Sequence, residues 1–131
     1  MGGAQAAGVG LMRLWLLLAA LGGLASVGFG AFGAHGVADP KAQSWLRTGA
    51  EYGLAHCLAV FACALVWQLG GTRATLAAPL FLAGVLLFSG SLYAMALGAP
   101  RWFGAITPLG GLGFMAGWAV LAWAAMGVRQ A

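Results

Sequence analysis

Four stretches of this chain run without a charged side chain for about the length of a membrane crossing: Leu14 to Ala34, Tyr52 to Gln68, Ala74 to Ala99 and Phe103 to Val128. A helix needs roughly 17–25 apolar residues to cross about 30 Å of hydrocarbon. Each stretch therefore predicts a span, with bounds near 12–34, 50–69, 76–98 and 108–127. Lipid offers no hydrogen bonds to an open backbone, and the alternating segments of about ten residues that build membrane barrels are absent. The fold class read here is an all-α integral membrane protein: an antiparallel four-helix transmembrane bundle forming one domain over 1–131.

Composition closes the other routes. With 63% hydrophobic residues, six basic and two acidic side chains, there is no polar shell for a water-soluble domain. Arg13, Lys41, Arg47, Arg73, Arg101 and Arg129 are scattered, so no basic cluster follows a phosphate backbone and nucleic acid is not an expected partner. Three of these lie at each end of the expected bundle, so charge counting leaves orientation open. The apolar run after Arg13 is longer than the 7–15 residues usual in a secretory signal, so it is read as a retained first span. No lipidation box is found, and the spans themselves are taken as the anchor. Cys57 and Cys63, about 120° apart around a helix, are read as small buried hydrophobes.

Short links force neighbouring spans to alternate in direction. Between the first two, Asp39-Pro40 predicts a helix start. Ala42, Trp45 and Leu46 then fall on one face, with Lys41, Gln43, Ser44 and Arg47 on the others. This is the pattern of a short amphipathic helix over about 40–48 lying at the headgroups, with Gly49 expected to turn it into the second span. "GGTR" is a tight turn, and "GAPRWFGAITP" places Trp102 and Phe103 at a membrane surface, with Thr107-Pro108 opening the last helix.

Small residues recur at helical spacing: Gly22, Ser26, Gly30 and Ala34 in span one, Gly90, Ala94 and Gly98 in span three, Gly113 and Gly117 in span four. Such stripes let backbones approach closely where the hydrophobic effect cannot hold helices together. Alternating direction also gathers the polar residues at one membrane face: His35, Glu51, Tyr52, His56, Ser89, Ser91, Tyr93 and Thr107. His56 lies roughly 9 Å below the start of span two, on one face with Thr48 and Tyr52. An ionisable residue at that depth needs a partner, for which Tyr93 and Ser89 qualify by depth. Its bland role is a neutral hydrogen bond between spans two and three; pairing with an inward-turned Glu51 would instead handle protons. Glu51 has a second option in an interfacial ion pair with Arg47. His35 is read first as a cap or cross-link of the polar end, and His35 with His56 as a weak candidate ligand pair for haem, a metal or a quinone. No metal or cofactor is assigned.

"GAFGAHGV", "WLRTGAEYGLAH", "FSGSLYAMAL" and "TPLGGLGFMAGW", in this order, resemble the bacterial inner-membrane family called domain of unknown function 423, to which animal transmembrane protein 256 is similar. The resemblance carries over Gly30, Gly33, His35, Trp45, Glu51, Tyr52, His56, Ser89, Gly90, Ser91, Tyr93, Thr107, Pro108, Gly110, Gly111 and Trp118. It implies a four-helix protein of the bacterial cytoplasmic membrane with both termini in the cytoplasm; it brings no activity, because the family's name records that none is established. Asp39 and Glu51 are the only carboxylates, and no nucleophile stands with a base and an orienting partner, so no catalytic residue is assigned. The leading functional reading is a non-enzymatic bundle that self-associates or serves a larger membrane complex. A small proton-linked transporter or channel using His56 and Glu51 is the first alternative, and a haem, metal or quinone site at His35 and His56 the second.

Overall fold

Backbone groups facing lipid have no water to bond, so a chain this apolar satisfies them along helices. The computed structural model describes residues 2–130; positions 1 and 131, the ends of the single expected domain, lie outside them. The chain winds into α1 (Gly3–His35), α2 (Pro40–Gln68), α3 (Ala74–Ala96) and α4 (Thr107–Ala125), with a 3₁₀ turn over Arg101–Ala105 before α4. No strand occurs among the described residues. Four helical segments are long and apolar enough to cross a membrane, the last counted with its 3₁₀ turn.

The helices form a layered bundle. α2 and α3 are the central pair, α1 packs chiefly on α2 and α4 chiefly on α3, and α1 and α4 do not touch. α1 consequently buries a single seam, Met12, Ala19, Ser26 and Gly33, whose seven-residue spacing is that of a left-handed crossing.

Asp39 caps α2, its carboxylate accepting from the Lys41 and Ala42 amides at 3.3 Å each. The separate interfacial helix over 40–48 is not present: α2 continues unbroken through Gly49 to Gln68. Glycine inside a helix costs only about 1 kcal/mol against alanine, less than the several kcal/mol of exposing a backbone group to lipid. Gly49 serves the packing instead, because a Cβ there would stand 2.7 Å from Tyr93 Cε1. α1 also begins well before residue 12. At 1.5 Å per residue its 33 residues reach about 50 Å, more than the hydrocarbon needs. At α4 the capping position falls on Ile106, with Pro108 in the first turn, and Thr107 is freed for another bond.

The small residues divide by face. Gly22 and Gly30 meet α2, their Cβ positions lying 2.6 Å from Cys57 Sγ and 3.2 Å from Ala50 Cβ, whereas Ala34 is exposed. On α3 the residue that admits α4 is Gly84: a Cβ there would stand 2.5 Å from Phe114 Cδ1 and 3.0 Å from the Gly110 carbonyl. Gly113 and Gly117 lie across the same contact, 3.3 Å from Gly84 Cα and 2.7 Å from Phe81 Cδ1 by the same measure. The expected α3 stripe is corrected. Gly90 lies about 120° around the helix from Gly84, with only the tip of Leu86 within reach. Ala94 on that stripe is half-buried. Gly98, at φ +108°, ends α3 rather than packing it. Among the described residues the main core cluster of Cys57, Val60, Cys63, Ala77 and Phe81 with their neighbours gathers around α2 and α3. Both cysteines are free thiols.

Candidate functional site

The polar side chains near the shared end divide into two networks separated by α2. The first centres on Gly53, whose missing side chain leaves a space ringed by three hydroxyls. A Cβ there would stand 2.5 Å from Ser26 Oγ, 3.0 Å from Ser89 Oγ and 3.2 Å from Tyr93 Oη. Ser89 Oγ donates to the Gly49 carbonyl at 2.6 Å, binding α3 to α2. Tyr93 Oη donates to Ser26 Oγ at 3.3 Å, and Ser26 Oγ donates to the Gly22 carbonyl at 2.9 Å, so a short relay runs from α3 to α1. Phe29 stacks on the Tyr93 ring at 4.2 Å and fixes its direction.

The second network faces α4. His56 is buried, and both ring nitrogens are engaged: Nδ1–H donates to the Tyr52 carbonyl at 2.7 Å, and Nε2 accepts from the Trp118 indole N–H at 3.1 Å. A carbonyl only accepts and an indole N–H only donates, so the partners assign the neutral tautomer with its proton on Nδ1. Phe114 lies flat against the imidazole, centroids 3.6 Å apart and planes within 9°. Tyr52, Phe88 and Trp118 complete a groove of about 480 Å³ between α2 and α4. Higher on the same side Ser91 Oγ and Thr107 Oγ1 share a 2.6 Å hydrogen bond, closing α3 onto the start of α4.

Placement thus departs from expectation in several ways. His56 bonds to α4 through Trp118, not to Tyr93 or Ser89, because α2 turns its 52/56 face away from the Gly53 hydroxyls. Glu51 is five positions from His56, about 140° around the helix, and lines a crevice against α1 with Arg47. The proton pair of Glu51 with His56 is therefore not assembled, and Arg47 and Glu51 form no ion pair within 4.0 Å. His35 is exposed at the end of α1, on a helix that does not reach α4, so the two histidines do not converge as a ligand pair. Among the described residues no three potential metal ligands cluster.

Sequence reasoning missed Gly53 and Phe114. Gly53 stands four residues after Gly49, a small-residue spacing in span two that was the usable signal for it, whereas nothing in the pattern of span four distinguishes Phe114 from an ordinary lipid-facing aromatic.

Over residues 29–111, which hold both networks apart from Gly22, Ser26, Phe114 and Trp118, the sequence matches the family model described as protein of unknown function DUF423. The chain belongs to the DUF423 family. A membrane protein of Haemophilus influenzae named UPF0382 is 46% identical over 112 residues, 83% of this chain and 90% of its own length. YwdK of Bacillus subtilis, a UPF0382 membrane protein, is 41% identical over 121 residues, 88% of this chain and 98% of its own. YgdD of Escherichia coli K12, a UPF0382 inner membrane protein, is 40% identical over 113 residues, 83% and 86% of the two chains. No solved structure matches. This DUF423 member is accordingly a small multi-pass protein of the bacterial inner membrane, of unestablished activity, resident in the lipid bilayer.

Proposed function

We propose that this chain is a non-enzymatic packing subunit, acting as a homo-oligomer or as an accessory to a larger membrane complex, with both termini in the cytoplasm and the polar end toward the periplasm. The pairing of its interior polar groups carries this reading: His56, Ser89, Tyr93 and Ser91 each bond across to another helix or its backbone. A catalyst or proton carrier keeps a donor or acceptor open to meet its substrate, whereas these groups act as bonds between helices, each worth about 0.6 to 1.7 kcal/mol in a membrane. Among the described residues one buried side-chain polar atom, Trp15 Nε1, has no partner. The separation of α1 from α4 leaves wide apolar faces on both outer helices, surfaces on which a second chain can pack.

Transport through His56 and Glu51 is less well supported, since the two residues face different neighbours. A cofactor on His56 would first have to displace the Trp118 indole. Native mass spectrometry of protein released gently from its own membrane, with an absorption spectrum on the same sample, tests the proposal. The expected result is a colourless assembly heavier than the 13.2 kDa chain; a bare monomer or a coloured cofactor complex would overturn it.

A further inference from the structure

At the end opposite the polar cluster, a groove of about 500 Å³ runs between the beginning of α1 and the end of α2. Two rows of side chains wall it, Arg13, Leu17 and Ala20 on α1 and Gln68, Ala64 and Phe61 on α2. Both rows keep the three- and four-residue spacing of a single helix face. Because the two helices run in opposite directions, each row is apolar toward the bilayer centre and ends on its one polar residue at the same membrane edge. Leu17 and Phe61 are exposed, so the groove opens to lipid.

Depth orders these groups. Leu14 to Ala34, the charge-free run of α1, covers about 30 Å at 1.5 Å per residue, the thickness of the hydrocarbon core. Arg13 is the first residue outside it, and Leu17 and Ala20 lie about 6 Å and about 10 Å deeper. A Cβ at Gly8, five residues outward of Arg13, would stand 3.1 Å from Trp67 Cζ2, so Gln68, the next residue of α2, is the outermost of the polar groups. Cα–Cβ bonds tilt toward a helix N-terminus, which turns Arg13 outward and Gln68, on the antiparallel helix, inward to meet it. From the centre outward the groove thus offers apolar surface, then a guanidinium, then a carboxamide.

The charged side chains of this end have one sign. Arg13 has no carboxylate within 4.0 Å among the described residues. Arg73 precedes α3, and the Arg129 amide donates to the Leu69 carbonyl at 3.0 Å beside it. Asp39 and Glu51, the two acidic side chains, belong to the opposite end of α2.

We propose that this groove binds phosphatidylglycerol, with an acyl chain between Leu17, Ala20, Phe61 and Ala64, the phosphate on Arg13 and the headgroup diol on Gln68. Acyl chain, phosphate and diol follow one another in the depth order of the groups that meet them. Guanidinium matches phosphate in charge-assisted hydrogen bonds. A carboxamide both donates and accepts, as a hydroxyl does, whereas an ethanolamine ammonium only donates and a choline headgroup has no donor. Either zwitterion would also bring its positive charge to an end that is already cationic, which favours a lipid of net negative charge. The selection is independent of the packing role proposed above.

The test is native mass spectrometry of the full chain, delipidated in detergent and then given phosphatidylglycerol, phosphatidylethanolamine or phosphatidylcholine of identical acyl chains. The wild type is expected to retain phosphatidylglycerol several-fold over the other two. Arg13→Gln should bring phosphatidylglycerol down to the level of the zwitterionic lipids, and Gln68→Leu should lower it in part. Arg73→Gln removes an arginine of the same end that lies over the Trp123 ring, 4.1 Å from its centroid, and outside the groove; it should leave the preference in place. Equal retention of the three lipids by the wild type overturns the proposal, as does an unmoved preference in Arg13→Gln. So does a loss in Arg73→Gln equal to that in Arg13→Gln, the mark of diffuse charge attraction. The wild-type comparison requires no variant, so it decides even where a variant fails to insert.

Discussion

Gly53 shows how much one absent side chain can organise. Three hydroxyls from two helices converge on it, and the relay from Tyr93 through Ser26 to the Gly22 carbonyl passes where a methyl would stand. Gly53→Ala is therefore expected to destabilise the bundle by about 1–3 kcal/mol, the usual cost of overpacking a close contact, read as a lower unfolding midpoint in a detergent titration; an unchanged midpoint would mean that the contact relaxes freely. His56 illustrates the converse, a polar side chain made inert by its partners. With Nδ1–H on the Tyr52 carbonyl and Nε2 under the Trp118 N–H, Trp118→Phe removes one hydrogen bond while keeping a ring against Phe81, which Trp118 meets edge-on at 5.0 Å. The expected loss is about 0.6 to 1.7 kcal/mol, accompanied by a change in the 15N shift of His56 Nε2; an unmoved shift would break the assignment.

At the scale of the helix, glycine has opposite meanings on different faces. A Cβ added at Gly49 in α2 would stand 2.7 Å from Tyr93 Cε1, whereas one at Gly28 in α1 would have nothing within 4 Å. Gly28→Ala is expected to stabilise by up to about 1 kcal/mol through helix propensity, and Gly49→Ala to destabilise despite the same propensity gain. Thermal unfolding of the two variants against the wild type reads the sign; equal shifts would show that propensity alone governs both sites. The same contrast explains the shape of α2. Its amphipathic beginning reads as a separate surface helix, yet the Gly49 carbonyl is held by Ser89, and that bond belongs to a helix that runs straight on.

For the whole molecule, four crossings place both termini on one side of the membrane whichever way the bundle is inserted. Reporter fusions at the two ends should give the same compartment, and opposite compartments would require an odd number of spans. The layered order, with α1 and α4 apart, also gives the molecule two unequal flanks. The α1–α2 flank carries the charged crevice, and the α2–α4 flank carries the aromatic groove of Tyr52, Phe114 and Trp118.

The number of spans, their helical state, the alternation of their direction and the gathering of polar residues at one end were all legible in the sequence. Each follows from the absence of water in lipid and from the shortness of the links, properties that act along the chain. The partners within that end were not legible. Whether His56 met Tyr93 or Trp118, whether Glu51 met His56 or α1, and whether Gly84 or Gly90 admitted a neighbour depend on how each helix is rotated about its axis. Nearly uniform hydropathy around each span leaves that rotation open. Only the mutual packing of the four helices set it, through close contacts at Gly22, Gly53 and Gly84, where an added Cβ would stand under 3 Å from a neighbour on another helix.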